Sequence, residues 1–458
     1  MKKYDVVLIG TGQATGTILP RLLSAGKKIA VVEKSRVGGT CVNWGCTPTK
    51  TLVASARAAR MVQRGAEFGI ETSSPVTNFS RVMDRVNQIR DDNSNGFRSW
   101  LEKVTDFYPG SASFVDEHII AIEDQQIWGE TIIIHVGAKP RTPSIPGVES
   151  VPWLDNQGIL ALQKLPEHLL VVGGSYIGLE FGQAFRRFGS RVTVFEHGSR
   201  IIFREDSEVS TAAQELLEDE GIEFHLNVDI QGVESQGDQV ILTYRSDGVT
   251  HRAEGSHILL ATGREPATAG LNLPAVGIDV DERGYIPTDD FGRTHVDHIY
   301  AIGDVNGKGA FTHTSVHDGQ VFIEHYLNGG GRRISDRIPI YSMFIDPPLA
   351  RVGINASEAA RRGLDYLVGT MPMSAVSRAK EKAETGGMMQ VITEASSKRI
   401  LGATVFGVGG DEIIGMLALA MQADIPYTKI QETVLPHPTV SELVPWIFND
   451  LKAPDIEK

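Results

Sequence analysis

Cys41 and Cys46 are the only cysteines among 458 residues, and they stand five positions apart in the stretch Gly38 to Lys50, GGTCVNWGCTPTK. Two thiols this close can close a disulfide and open it again, a two-electron exchange. A disulfide needs Cα atoms roughly 4.4–6.8 Å apart, whereas five residues of regular helix already advance roughly 7.5 Å. The bridge therefore cannot span an ideal helix. The segment must be distorted or begin its helix between the cysteines, and Gly45 offers the backbone freedom for that. A thiolate near a helix N-terminus has a lowered pKa and is a good nucleophile. With no further cysteine there is neither a framework of structural disulfides nor a cysteine-rich zinc site. In a reducing cytosol such a pair is more often reactive than structural.

Two similar stretches must position this chemistry. YDVVLIGTGQATGTILPRLLSAGKKIAVVEK reads as strand, glycine turn, helix, strand, and LLVVGGSYIGLEFGQAFRRFGSRVTVFEHGSR reads the same way further on. In each, a glutamate closes the second strand 23 positions after the first glycine: Glu33 after Gly10 (33 − 10) and Glu196 after Gly173 (196 − 173). Such a turn lets backbone N–H groups and a helix N-terminus approach a pyrophosphate, while the acidic residue accepts hydrogen bonds from a ribose. Two units imply two nucleotide sites. Gly10 and Gly12 open the first fingerprint, with Thr15 at its third glycine position and Gly16 just after. Gly173 and Gly178 frame the second, with Ser175 at its middle position. Glu196 pairs with a 2′-hydroxyl and repels a 2′-phosphate, so the second site should prefer NADH to NADPH; Arg200 and Arg204, just downstream, could still reach a phosphate.

VGAKPRTPSIPG (Val136–Gly147) and TGREPATAG (Thr262–Gly270) look like matching exits from the two units. A helix-like stretch follows YAIGDV (Tyr300–Val305) to about Leu327, and NGGGRR (Asn328–Arg333) reads as a linker. The remainder carries strand-like segments, GMMQVITEA and RILGATVFG, before helix-like ones, the mark of a separate α+β domain. The formal net charge of −13 with no basic cluster argues against a nucleic-acid partner. No apolar stretch approaches the ~20 residues that cross a bilayer, and the opening apolar run is too short for a signal peptide. No membrane partner and a cytoplasmic location are expected.

GGTCVNWGCTPTK resembles the redox-active segment of the class I pyridine nucleotide–disulfide oxidoreductases, the family of glutathione reductase, dihydrolipoamide dehydrogenase and mercuric reductase. The likeness runs along essentially the whole chain, through both fingerprints, LLATGREP, YAIGDV and the HPTVSE near the end. It implies an α/β fold with two Rossmann-like, three-layer domains for FAD and NAD(P), followed by an α+β dimerisation domain. The boundaries expected are 1–147 for the first part of the FAD-binding domain, 148–267 for NAD(P), 268–335 completing the FAD-binding domain, and 336–458 for dimerisation.

The resemblance also implies roles. Cys46 would face the flavin as the charge-transfer thiolate, and Cys41 would attack the substrate. Lys50 would sit beside the flavin N5 region and pair with Glu180, Tyr176 would cover the flavin until nicotinamide displaces it, and Asp304 would bind the ribityl chain. Gly39, Thr40, Ala112, Gly137 and Gly263 join Gly10, Gly12 and Glu33, and Gly173, Ser175, Gly178 and Glu196, as cofactor-binding positions. His437, oriented by Glu442, would act as general acid/base on the exchanging thiol of a partner subunit, making a homodimer with shared active sites. His313 and His317 carry no such pattern, although their segment should lie near the flavin ring.

Within the family the chain most resembles a mercuric-reductase-like branch, on RIPIYSMFIDPPLARVG, GVGGDEIIGMLALAMQADIPY and HPTVSE. Neither an N-terminal metal-binding domain nor a C-terminal cysteine pair is expected, and the two cysteines present are expected to be buried. No resident metal is expected. The activity implied is transfer of electrons from NADH through FAD and Cys41–Cys46 to a disulfide or thiol-reactive acceptor. The alternatives are mercuric or cupric ion reduction on the same relay, a dihydrolipoamide dehydrogenase subunit of a 2-oxo-acid dehydrogenase complex, and an oxidase or transhydrogenase with regulatory cysteines.

Overall fold

The protein is described by a computed structural model covering residues 1–71, 73 and 76–454. It forms two compact units, Met1–Thr51 with Met83–Thr142 and Thr262–Arg337, and Leu52–Val82 with Pro143–Ala261 and Ile338–Lys458.

The first unit is built on one sheet. Its strands lie in the order Asp106–Pro109, Ile29–Glu33, Lys2–Ile9, Gln125–Ile134, Ile119–Ile122, Ala112–Phe114, and Ile299–Ala301 also pairs with Gln125–Ile134. The first four and Ile299–Ala301 are parallel; the last two run antiparallel. Successive side chains of a strand point to opposite faces, and both faces of a parallel sheet are covered. The strand Lys2–Ile9 shows this directly. Val7 and Ile9 join one core with Ala30, Val32, Ile132 and Ile134. Val6 and Leu8 join another with Ile18 and Leu22 of the helix Thr15–Ser24 and Phe322 of the helix Thr312–Asn328.

The second unit contains a parallel sheet in the order Ile222–His225, Arg191–Phe195, His168–Val172, His257–Leu260, and a three-stranded antiparallel one, Asp229–Gln236, Gln239–Ser246, Val249–Gly255. Its C-terminal part is a five-stranded antiparallel sheet, Ile340–Met343, Leu349–Gly353, Ile400–Phe406, Met388–Glu394, Tyr366–Pro372. Ile413, Ile414 and Leu417 of the helix Gly410–Gln422 share a core with Val352, Ala403 and Val405 of that sheet. Both βαβ repeats and the α+β C-terminal part are thus as the sequence leads one to expect.

The two exit segments do more than leave their units. Ala138–Pro140 and Arg264–Pro266 pair antiparallel as a two-stranded ribbon of the first unit. Among the described residues no helix is long and apolar enough to cross a membrane.

Candidate active site

The cysteine segment folds as two helices with a break. Gly39–Asn43 forms one turn and a half, Trp44 leaves helical geometry at φ −139°, and a new helix, Cys46–Gln63, starts at the second cysteine. The break therefore falls between the thiols, at Trp44 and Gly45, as the disulfide geometry requires. Cys46 occupies the first helical position, where unpaired N–H groups and the helix dipole favour a thiolate. Both residues are free thiols. The Cys46 sulfur, hydrogen-bonded to that of Cys41, pushes the Cys41 pKa up; burial adds to this, while the Thr312 hydroxyl and the Lys50 charge oppose it. Cys41 is the partner that keeps its proton. The expectation of two buried thiols is corrected: Cys41 is half-buried but Cys46 is exposed at the helix tip. Its Sγ lies 3.1 Å from the Thr312 hydroxyl. Thr312 opens the helix Thr312–Asn328, so two helix N-termini meet at one sulfur.

The first glycine turn adjoins this segment. Gly10 has φ +100°, and a Cβ there would lie 2.3 Å from the His135 carbonyl oxygen, so only glycine fits. The Glu33 carboxylate accepts from the Thr11 N–H at 3.0 Å, the Thr11 hydroxyl at 2.6 Å and the Ser35 N–H at 2.9 Å. The Thr11 hydroxyl in turn accepts from the Gly38 N–H at 3.0 Å. One hydroxyl thus ties the ribose-type carboxylate, the glycine turn and the redox segment together. Gly39 packs on the turn, and Thr40 follows it in the first short helix. Thr15, at the third glycine position, is fully buried, while nothing surrounds Gly16, so the threonine fills the close-packing place. Asp304 sits in the 3-10 turn Gly303–Asn306, its pKa pushed up by burial and moderated by Arg264 at 3.9 Å. Gly137 and Gly263 immediately precede the two ribbon strands at positive φ, and Ala112 is buried at the sheet edge. The glycine cradle, the carboxylate at its end and the half-buried Asp304 fit a dinucleotide such as FAD.

The second turn repeats the arrangement. Glu196 accepts from the Gly174 and Gly198 N–H groups, each at 2.7 Å. A Cβ on Gly178 would lie 2.2 Å from the Gly173 carbonyl, which explains the glycine inside the helix. Ser175 is the N-cap and Tyr176 the first residue of the helix Tyr176–Phe188. Arg200 donates to the Phe203 and Glu205 carbonyls at 3.1 and 3.3 Å, so its guanidinium is engaged within its own loop. Arg204 stacks over the Phe203 ring. Glu180, Gln183 and Arg187 line one face of the helix and grip the loop Phe344–Asp346: Glu180 accepts the Phe344 N–H at 2.7 Å, Gln183 the Asp346 N–H at 2.7 Å, and Arg187 donates to the Asp346 carbonyl at 2.9 Å. Lys50 lies one helical turn beyond Cys46, in the first unit, whereas Glu180 belongs to the second.

In the C-terminal part, His437 Nδ1 lies 3.1 and 3.0 Å from the two oxygens of Glu442. The His437 side chain is 75% exposed and that of Glu442 16%, so a held carboxylate orients a ring whose other nitrogen faces outward. His313 stacks on Phe311. His317 faces Arg337 at 3.4 Å, and burial with the Arg337 and Arg332 charges brings its pKa down to about 4. Thr312 escaped the sequence reading, because nothing in a threonine 266 positions from Cys46 marks it as a neighbour.

Residues 4–319 match the family model described as pyridine nucleotide-disulphide oxidoreductase, and residues 340–448 match the dimerisation domain of that family. The chain belongs to the pyridine nucleotide-disulphide oxidoreductases and is an FAD-dependent enzyme working with a pyridine nucleotide and a disulfide redox centre. It is 35% identical to the probable pyridine nucleotide-disulfide oxidoreductase RclA of Escherichia coli K12, over 99% of this chain and 100% of that protein. It is 29% identical to mercuric reductase of Bacillus cereus (96% of this chain, 70% of that protein) and 31% identical to dihydrolipoyl dehydrogenase of Chlamydia muridarum (99% and 97%). A solved structure, the Cu(II) complex of the HOCl-induced flavoprotein disulfide reductase RclA from Escherichia coli, superposes with a TM-score of 0.90 at 34% identity, covering 98% of this chain and 99% of that one.

Proposed function

We propose that the chain is an NADH-dependent reductase of a disulfide or thiol-reactive acceptor, with Cys41 as the attacking thiol, Cys46 as the thiolate next to the flavin, and His437 as acid/base. The His437–Glu442 dyad carries this reading. Thiol–disulfide exchange needs a proton taken from the attacking thiol and returned to the leaving one, and a group oriented by a carboxylate, with its far nitrogen open, is suited to that. The raised pKa of Cys41 creates the need: without a base it stays a poor nucleophile.

FAD, when bound, supplies the two-electron chemistry between nicotinamide and disulfide. The chain's own groups hold it: Gly10, Gly12, Gly39 and Thr40 at the pyrophosphate, Glu33 at the ribose, Asp304 at the ribityl chain, with Ala112, Gly137 and Gly263 completing the site. Lys50 would supply a positive charge to the flavin, and Glu180 is its expected counterpart in function. Gly173, Ser175, Gly178, Glu196 and Tyr176 serve the nicotinamide nucleotide. The Glu196 carboxylate and the inward commitment of Arg200 support NADH over NADPH. The active enzyme is a homodimer in which His437 serves the partner's thiols, and the cytoplasm, where reduced nicotinamide is supplied, is its location. The domain boundaries 1–147, 148–267, 268–335 and 336–458 go with this reading.

A metal ion is the second candidate acceptor, because the relative solved from Escherichia coli is described as a Cu(II) complex and the exposed Cys46 thiol is a soft ligand. Anaerobic titration with NADH should develop long-wavelength thiolate–flavin absorbance. A steady-state panel of oxidised glutathione, lipoamide, cupric and mercuric ions and quinones then names the acceptor. Turnover with quinones alone, unaffected by Cys46→Ser, would overturn the disulfide reading.

A further inference from the structure

His135 directly follows the strand Gln125–Ile134, and its ring is buried, with the residue only 5% exposed. A lone histidine after TIII is easily read as core filling, yet the ring is wedged between two glycine turns. A Cβ on Gly12 would lie 2.4 Å from its Nε2, and one on Gly303 would lie 3.0 Å from its Cε1. Nδ1 is 3.0 Å from the Ile302 carbonyl, which can only accept, so that nitrogen carries a proton. Nε2 faces the Ser315 hydroxyl at 3.5 Å and the backbone of Gly12. The Gly12 interaction favours the charged ring, as a carbonyl acceptor does.

The charged neighbours are Asp304 and Asp318, both of which favour protonation. Asp318 is itself held by Arg337 at 2.7 Å and by the Gly303 N–H and Asn306 amide at 2.9 Å each, and Asp304 faces Arg264 at 3.9 Å. Burial outweighs these and lowers the pKa of the ring below the ordinary imidazole value. The pocket thus offers acceptors for two ring protons but holds one.

The other side of the Gly10–Gly12 turn is where a dinucleotide pyrophosphate binds in such a fold. We propose that His135 is a proton-linked positioning residue for FAD: cofactor binding at the first glycine turn draws one proton from solvent onto Nε2, which then donates to the Gly12 backbone and fixes the turn. No other bond is made or broken. The inference rests on FAD occupying the first turn.

The sign follows from the two states. Without FAD the ring is neutral above its lowered pKa, and the pyrophosphate's negative charge raises that pKa. Between the two values binding consumes a proton, so affinity falls as pH rises, by up to about tenfold per pH unit, and is level outside this window.

Calorimetric titration of the apoprotein with FAD, from about pH 5 to 8 in two buffers of different ionisation enthalpy, counts the protons. The wild type should take up as much as one per FAD, and His135→Asn or His135→Gln should remove that uptake and flatten the affinity profile. FAD binding by the wild type without uptake, or equal uptake by the variants, would overturn the proposal. Absence of any FAD binding by the wild type would instead overturn the placement of the cofactor. If neither variant folds, the ¹⁵N resonance of Nε2 in histidine-labelled wild type decides: a shift to the protonated position on adding FAD supports the proposal, and an unchanged resonance sinks it.

Discussion

The two thiols are chemically unlike although they are neighbours. Cys46 stands on a helix N-terminus against the Thr312 hydroxyl, and Cys41 keeps its proton beside it. Cys46→Ser should abolish both disulfide reduction and the long-wavelength band on NADH titration. Cys41→Ser should abolish turnover but leave the band, since the sulfur at the helix tip remains. Rapid-scan spectroscopy of the two variants separates these outcomes. His437→Gln should lower disulfide turnover about 10²–10⁴-fold, the usual worth of a positioned acid/base, while stopped-flow reduction of the flavin by NADH stays at the wild-type rate. Cys41, Cys46, Lys50, His437 and Glu442 could be singled out as candidates beforehand, because they lie in local motifs whose spacing is itself the signal. Thr312 and His135 could not, because their roles come from neighbours far along the chain, and a lone threonine or histidine carries no spacing to read.

The elements explain themselves where a local rule governs them and conceal themselves where packing does. The continuous apolar run Val6–Ile9, buried on both faces, and the turns at Gly10 and Gly173 are local, so both βαβ units could be read in advance. The pairing of Ala138–Pro140 with Arg264–Pro266 was not readable, since each looks like an ordinary exit and only the fold sets them side by side. The same holds for the web beneath the helix Tyr176–Phe188. Asp346, 8% exposed, binds Arg187 at 2.5 Å and also pairs with Arg57, while Glu220 binds Arg187 at 2.7 Å. Removing one member leaves buried charge uncompensated, so Asp346→Ala should cost about 3–5 kcal/mol, read as a lowered Tm. Glu205 gives a pH-dependent case. Burial, with Asp206 adding to it against Arg351 and Arg204, pushes its pKa from 4.5 up to about 7. A carboxyl raised on folding leaves stability intact below pH 4.5 and erodes it as pH climbs to about 7, by about 3 kcal/mol in total. Glu205→Gln should therefore raise Tm at pH 8 relative to wild type and change it little at pH 4, as a pair of melting profiles will show.

At the scale of the whole molecule, the exposed His437 on a dimerisation domain makes a clean genetic test possible. Mixed dimers of Cys46→Ser with His437→Gln should regain one working site if the imidazole serves the partner's thiols, and none if each chain serves itself. Subunit mixing followed by purification of the hybrid, with activity measured per dimer, distinguishes the two.

The ribbon at the exits has a further consequence. Arg141 and Gly263 are hydrogen-bonded at 3.1 Å, so the chain departs from the first unit and rejoins it at almost the same spot. Everything strung between them, Glu196 included, enters and leaves through one clasp and is gripped a second time where Glu180, Gln183 and Arg187 hold the loop Phe344–Asp346. Since closing a long loop depends only on the logarithm of its length, the clasp itself sets little limit on what is strung there. A graft that swaps this stretch should keep its fold only if it carries Glu180, Gln183 and Arg187 along.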